Sequence, residues 1–349
     1  YQAMQLSAAN LKPLIKNAES KETKNKYIAA LILKSILCLL FCTIVVISFG
    51  KVFGEENNVV GVVTVISLLN FRFSNLDFKV RQAALTIVGI FGVLSISPYI
   101  ASISNPFLGF IINFISIIGI LILTCHNVRL CNHSILVLSY FLLYGYKVEN
   151  TEILINRIIG LIFGGILVAS IFYIKQRKIE FKNTFIDIIN DVDFNTERTK
   201  WQLKFAFVTT SAIMIGEFLH IPRTMWIGIA CMSVFHPDKS QLQIRYKQRM
   251  LYMVLGCLMY MSIYFLIPQQ FRGLIGLIGG VMIGFSGTYK WQTVFNAFGA
   301  LSAATPILGV GGAIIFRILN NVFGALYSKG FDYIINFIDN KEFANVNEA

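Results

Sequence analysis

Four cations stand inside stretches that are otherwise almost wholly apolar: Lys34, Arg157, Lys204 and Arg317. A charge at the centre of a bilayer costs roughly 2.5–3.5 kcal/mol on insertion scales, so such a residue persists for a function or because it reaches water. Lys34 and Lys204 lie near one edge of their stretches, where a long stem lets the ammonium snorkel. Arg157 and Arg317 lie deeper, in from the opposite edge, and functional use is the stronger reading for them. Two more arginines open apolar runs: Arg81 in "FKVRQAALTIVG" and Arg249 in "YKQRMLYMVLG". The chemistry these residue types offer is anion binding, because the planar guanidinium fork meets two carboxylate oxygens at once.

The elements that must position these cations are apolar helices. Hydrophobic residues make up 56% of the 349-residue chain and charged residues 14%, against about 25% charged in a typical soluble domain. Apolar runs recur at 28–50, 58–70, 82–98, 106–124, 133–146 and 153–174, then at 201–219, 224–235, 250–267, 273–286, 291–309 and 312–328. With the N-terminus in the cytoplasm, 22 of the 30 Lys and Arg fall in inner segments and only Lys51, Lys147, Arg223 and Arg272 in outer loops. That asymmetry is the positive-inside signature. The net charge of +12 is thus accounted for by topology and does not point to nucleic acid. Residues 1–27 are polar and Lys-rich, unlike a cleavable signal. The expectation is an all-α polytopic membrane protein of about twelve transmembrane helices, with both termini cytoplasmic. Its parts would be an N-terminal arm (1–27), a six-helix repeat (28–174), a cytoplasmic linker helix (175–200), a second six-helix repeat (201–336) and a tail (337–349).

The case for a repeat rests on the cations. Lys34 and Lys204 enter the first span of each half, Arg81 and Arg249 open the third, and Arg157 and Arg317 lie in the sixth, in the same order. An even number of spans per half gives both halves one orientation, related by a pseudo-two-fold along the membrane normal. Behind the arginines come small residues: Gly160 and Gly164 after Arg157, Gly256 after Arg249 and Gly324 after Arg317. On a helix these would let a neighbouring backbone approach. The second span of each half (58–70, 224–235) is too short for the ~20 residues a crossing needs. Paired short segments are the sequence pointer to a substrate site in repeat-built transporters, and each precedes a basic loop, "NFRFSNLDFKVRQ" and "HPDKSQLQIRYKQR".

The stretch "RTMWIGIACMSVFHPDKSQLQIRYKQRMLYMVLG" resembles the fusaric acid resistance and aromatic acid exporter superfamily, with Trp226, Pro237, Asp238, Arg249 and Gly256 in the matching places. Where that pattern has its first Gly, Tyr252 and Ala84 stand here, and only Arg157 heads the full R-x-x-G-x-x-x-G form. The likeness is to a short form without the large cytoplasmic domains, and more distantly to plant aluminium-activated malate channels. It implies outward movement of organic, aromatic acid anions across an inner membrane, driven by the proton-motive force and assisted by a periplasmic membrane-fusion adaptor. The substrate pathway would use Arg81, Arg249, Arg157, Arg317, Lys34, Lys204 and Trp226. The letters "HPDK" also occur in J-domain co-chaperones, but there the flanking helices are soluble, and here both flanks are apolar.

Glu217, Asp77 and Asp238 are candidates for proton coupling, against the plainer reading of loop acids and ion-pair partners. His126 and His133 beside Cys125 and Cys131 raise a metal reading that such spacing supports weakly. No metal or other cofactor and no disulfide is expected, nor nucleotide hydrolysis through G-x-x-x-x-G-K-[ST], a sequence the chain lacks. The expected partners are a small organic anion, the lipid bilayer and the adaptor; a homo-oligomer stays open. The chain carries no nucleophile–base arrangement that would make it an enzyme. A passive anion channel and a non-transporting scaffold subunit of an envelope assembly are the alternatives.

Overall fold

Every one of the twelve apolar runs folds as helix in the computed structural model, which describes residues 2–347. The helices in chain order are α1 (Gln2–Gln5), α2 (Ala8–Lys16), α3 (Lys21–Phe53), α4 (Asn58–Phe71), α5 (Val80–Ile103), α6 (Pro106–Thr124) and α7 (His133–Gly145). They continue with α8 (Thr151–Gln176), α9 (Phe185–Asn190), α10 (Glu197–Phe218), α11 (Met225–Val234), α12 (Lys239–Leu266), α13 (Ile275–Phe285) and α14 (Tyr289–Asn347). No strand occurs among the described residues.

Side-chain caps explain several starts. Asn105 accepts from Leu108 N with Pro106 opening α6, Asn150 accepts from Ile153 N for α8, and Thr184 and Asp187 form a capping box on α9. Each satisfies a first-turn N–H that has no partner inside the helix.

Among the described residues, six helices are long and apolar enough to cross a membrane: α3, α5, α6, α8, α12 and α14. Their apolar faces are largely uncovered by protein, down to 11% of the window buried in α3. A length of 33 residues with such a face is stable only against hydrocarbon. The chain is a multi-pass membrane protein. At 14, 13, 10 and 11 residues, α4, α7, α11 and α13 rise only roughly 15–21 Å at 1.5 Å per residue, short of a ~30 Å hydrocarbon core.

Two boundaries depart from the sequence expectation. The basic stretch before residue 250 is not a loop: α12 starts at Lys239, so only "HPD" remains outside it. Asp238 takes the Ser240 N–H at 2.9 Å and so serves the new N-terminus. The next eleven residues, mostly polar, contain no Gly or Pro to stop propagation. The last two apolar runs are continuous in α14 except at Gly309, whose φ of 68° and ψ of 164° break the helix.

The chain forms two compact units, Tyr1–Ile44 with Gln243–Ala325, and Val45–Leu242 with Leu326–Ala349. They do not follow the 28–174 and 201–336 halves. Within the larger unit the short helices form the interior. Nine residues of α4, eight of α7 and eight of α11 are buried, and α5, α6, α8 and α10 pack around them. Enclosure by protein is what permits helices too short to span.

Candidate functional site

Arg157 lies in the second turn of α8 and is 3% exposed. Its Nε donates to Asn57 Oδ1 at 3.0 Å and its Nη1 to the Tyr146 carbonyl. Asn57 is itself held through Nδ2, which donates to the Phe53 and Ile153 carbonyls at 2.9 and 3.1 Å. Gly160 and Gly164 then seat α8 on its neighbours. A Cβ on Gly160 would meet the Phe53 ring and Val60 at 3.2 Å, and one on Gly164 would lie 2.3 Å from Thr64 Oγ1.

Arg249, 4% exposed, has a parallel setting in the other unit. Its Nε and Nη2 both donate to Asn321 Oδ1, at 3.0 and 2.7 Å. Asn321 Nδ2 donates to the Arg317 carbonyl one turn back in α14, at 2.7 Å. A Cβ on Gly256 would come 2.6 Å from the Val294 carbonyl, so this glycine allows α12 to touch α14. Arg317 is 4% exposed and Gly324 is buried.

Both Arg157 and Arg249 are therefore buried cations hydrogen-bonded to neutral oxygens. Neither arginine takes part in the ion pairs Glu22–Lys26, Asp77–His126, Asp191–His126, Asp191–Arg198 and Glu197–Lys200. Dipoles can hold a guanidinium in place without cancelling its charge, so each site keeps a positive potential in a low dielectric.

The remaining sequence candidates occupy different settings. Arg81, at the second position of α5, is exposed, unlike its proposed counterpart Arg249, which sits eleven residues into α12 rather than at a loop mouth. Lys34 and Lys204 are half-buried, and Lys34 Nζ donates to the Leu6 carbonyl. Trp226 is 2% exposed in α11. Each expected pair has one member in each unit: Arg81, Arg157 and Lys204 in one, Arg249, Arg317 and Lys34 in the other.

The acids separate clearly. Asp238 accepts from Ser240 Oγ and Ser240 N, and these bonds hold its carboxyl below the usual range, which works against proton uptake near neutrality. Asp77 pairs with His126 Nδ1 at 3.1 Å, and His126 Nε2 meets Asp191 at 2.9 Å. The hydrogen bond from Arg198, then that from His126, lowers the Asp191 carboxyl. His126 thus bridges the α4–α5 turn to the 175–200 linker instead of joining Cys125, while His133 Nδ1 is 3.9 Å from Cys125 Sγ. No cluster of three His, Cys, Asp or Glu suited to a metal occurs among the described residues. Glu217 is half-buried, and its Oε1 accepts from Tyr144 Oη at 3.0 Å and from Thr224 Oγ1.

Sequence reasoning missed Asn57 and Asn321. Asn321 carries a weak signal, a polar residue in an apolar run one turn after Arg317. Asn57 carries none, for it stands outside a span and meets Arg157 across 100 residues.

The fold is that of a multi-pass helical membrane protein, and it buries guanidiniums. Residues 211–328 match the family described as fusaric acid resistance protein-like, 118 of the 349 residues. The matched segment covers about a third of the chain and includes the "RTMWIGIACMSVFHPDK" stretch. No curated protein and no solved structure matches.

Proposed function

We propose that this protein is an inner-membrane exporter of small organic, aromatic acid anions, driven by the proton-motive force and working with a periplasmic membrane-fusion adaptor. Both termini are assigned to the cytoplasm and the chain to two parallel six-helix repeats, on the distribution of Lys and Arg and the ordered cation pairs. The observation that carries the reading is the pair of buried guanidiniums, Arg157 and Arg249, whose partners are neutral oxygens. A carboxylate passing such a site gains charge-assisted hydrogen bonds. No fixed carboxylate among the described residues competes with the substrate for these cations, and release needs a site that does not hold the anion too tightly. Arg81, Arg317, Lys34 and Lys204 would raise the potential along the route, and Trp226 would lend an apolar wall.

The test is uptake of a labelled aromatic acid by inverted membrane vesicles at matched protein level. Arg157→Gln and Arg249→Gln should each slow uptake at least about tenfold, since a hydrogen bond to a charged group contributes about 1.5–3 kcal/mol. Lys51→Gln, at an exposed position, should leave it unchanged. Uptake that survives collapse of the proton gradient would make the protein a channel. Uptake indifferent to both arginine changes would leave the scaffold reading ahead.

A further inference from the structure

Glu217 opens onto a cavity of about 170 Å³ bounded by α5, α6, α7 and α10, with Ser102, Ser104, Gly109, Asn113 and His220 in its wall. Two serine hydroxyls in the wall have their protons engaged by the helix. Ser102 Oγ donates to the Tyr99 carbonyl at 2.8 Å and Ser104 Oγ to the Ile100 carbonyl at 2.7 Å. Their protons are thereby committed to the helix, and what the hydroxyls can offer a ligand is lone pairs. The Ala101 carbonyl belongs to the last turn of α5, where carbonyls lack an in-helix partner and the helix dipole is negative. Gly109 lets α6 lie close to that oxygen, for a Cβ there would stand 2.9 Å from it.

Glu217 is held as an acceptor too. Oε1 takes two hydroxyls, while Oε2 takes no hydrogen bond among the described residues. The Thr224 hydroxyl is delivered by a turn in which His220 and Arg223 both adopt left-handed backbone, φ 51° and 59°. Neither is glycine, and strain of this kind persists where the surroundings demand the geometry.

We propose that this cavity binds a small monovalent cation, with Glu217 Oε2, the Ser102 and Ser104 hydroxyl oxygens and the Ala101 carbonyl as its ligands. One carboxylate balances one positive charge, whereas a divalent ion is served by a richer set of carboxylates. At ~30 Å³ per water, the volume admits an alkali cation with several waters. The titratable groups in the wall are Tyr144, Glu217 and His220; α6 and α11 carry no charged side chain, and Arg223 lies over the Tyr146 ring at 5.7 Å. The site does not depend on which solute the protein moves.

The experiment uses the purified full chain in nanodiscs, with 22Na⁺ binding and Tm compared in NaCl and in equimolar choline chloride. Saturable 22Na⁺ binding and a higher Tm in NaCl are expected. Glu217→Gln should abolish both differences, and Ser102→Ala should weaken binding several-fold. If Glu217→Gln fails to fold, Ser102→Ala together with Gly109→Ala decides the matter. Identical behaviour in sodium and choline overturns the proposal, as does sodium binding that survives loss of Glu217 or is untouched by Ser102→Ala and Gly109→Ala. A Tm that responds only to pH in choline also overturns it, and assigns the cavity to a proton.

Discussion

A guanidinium taken out of water keeps its charge, so its N–H groups must find acceptors inside the protein. Arg249 relies on one amide oxygen for both Nε and Nη2. Asn321→Ala should leave those donors bare and lower stability by about 1.5–3 kcal/mol. The measurement is the Tm of the detergent-solubilised protein for Asn321→Ala, Arg249→Met and the double variant. The double variant should lose less than the sum of the two single losses, because the pair forms one hydrogen-bonded unit. Additive losses would remove the pair from the account of how this cation is held. The same logic separates Asp238 from Glu217: an exposed acid with its oxygen bonded to Ser240 is spent on starting α12, whereas Glu217 faces a cavity.

Among the helices, glycines have two unrelated uses. Gly164 and Gly256 are glycine because a neighbour stands within 2.6 Å of where a Cβ would be. Gly309 has nothing within 4 Å, and its φ of 68° with ψ of 164° is backbone that side-chain-bearing residues rarely adopt. Gly309→Ala should therefore destabilise by about 1–3 kcal/mol through backbone strain alone. Gly299→Ala, also in open space but inside regular helix, should stabilise by about 0.5–1 kcal/mol. Thermal unfolding of the two variants side by side checks the contrast. Equal shifts would mean that α14 does not break at Gly309.

For the whole molecule, the decisive quantity is which side of the membrane each loop occupies. The linker is tied to the α4–α5 turn and the start of α5: Lys79 N donates to the Asn183 carbonyl at 2.9 Å and Phe185 N to Gln82 Oε1 at 2.8 Å. Those turns and the linker must therefore share one face. In a background without the native cysteines, Val148→Cys should react with an impermeant maleimide added to intact cells. Asn190→Cys should react only after permeabilisation. External labelling at 190 would overturn the cytoplasmic assignment of the linker and, through these bonds, of the α4–α5 turn as well.

The sequence by itself determined the elements. All twelve apolar runs are helical, and Asn105, Asn150 and Thr184 start helices, because a helix satisfies its own backbone and a cap acts within one turn. The spacing of Gly160 and Gly164 is likewise a property of one helix, whereas what a Cβ on each would meet depends on its neighbours. The start of α12 at Lys239 was not, since a charge keeps a residue out of hydrocarbon but does not keep it out of a helix. Only the tertiary structure decided what the charges meet. Arg157 finds Asn57 and Arg249 finds Asn321 across 100 and 72 residues, and Arg81 stays exposed where Arg249 is buried. Periodicity says which face of a helix is apolar, not which helix will lie on it. The partner of a buried charge is settled by that packing, where leaving the charge unsatisfied would cost several kcal/mol.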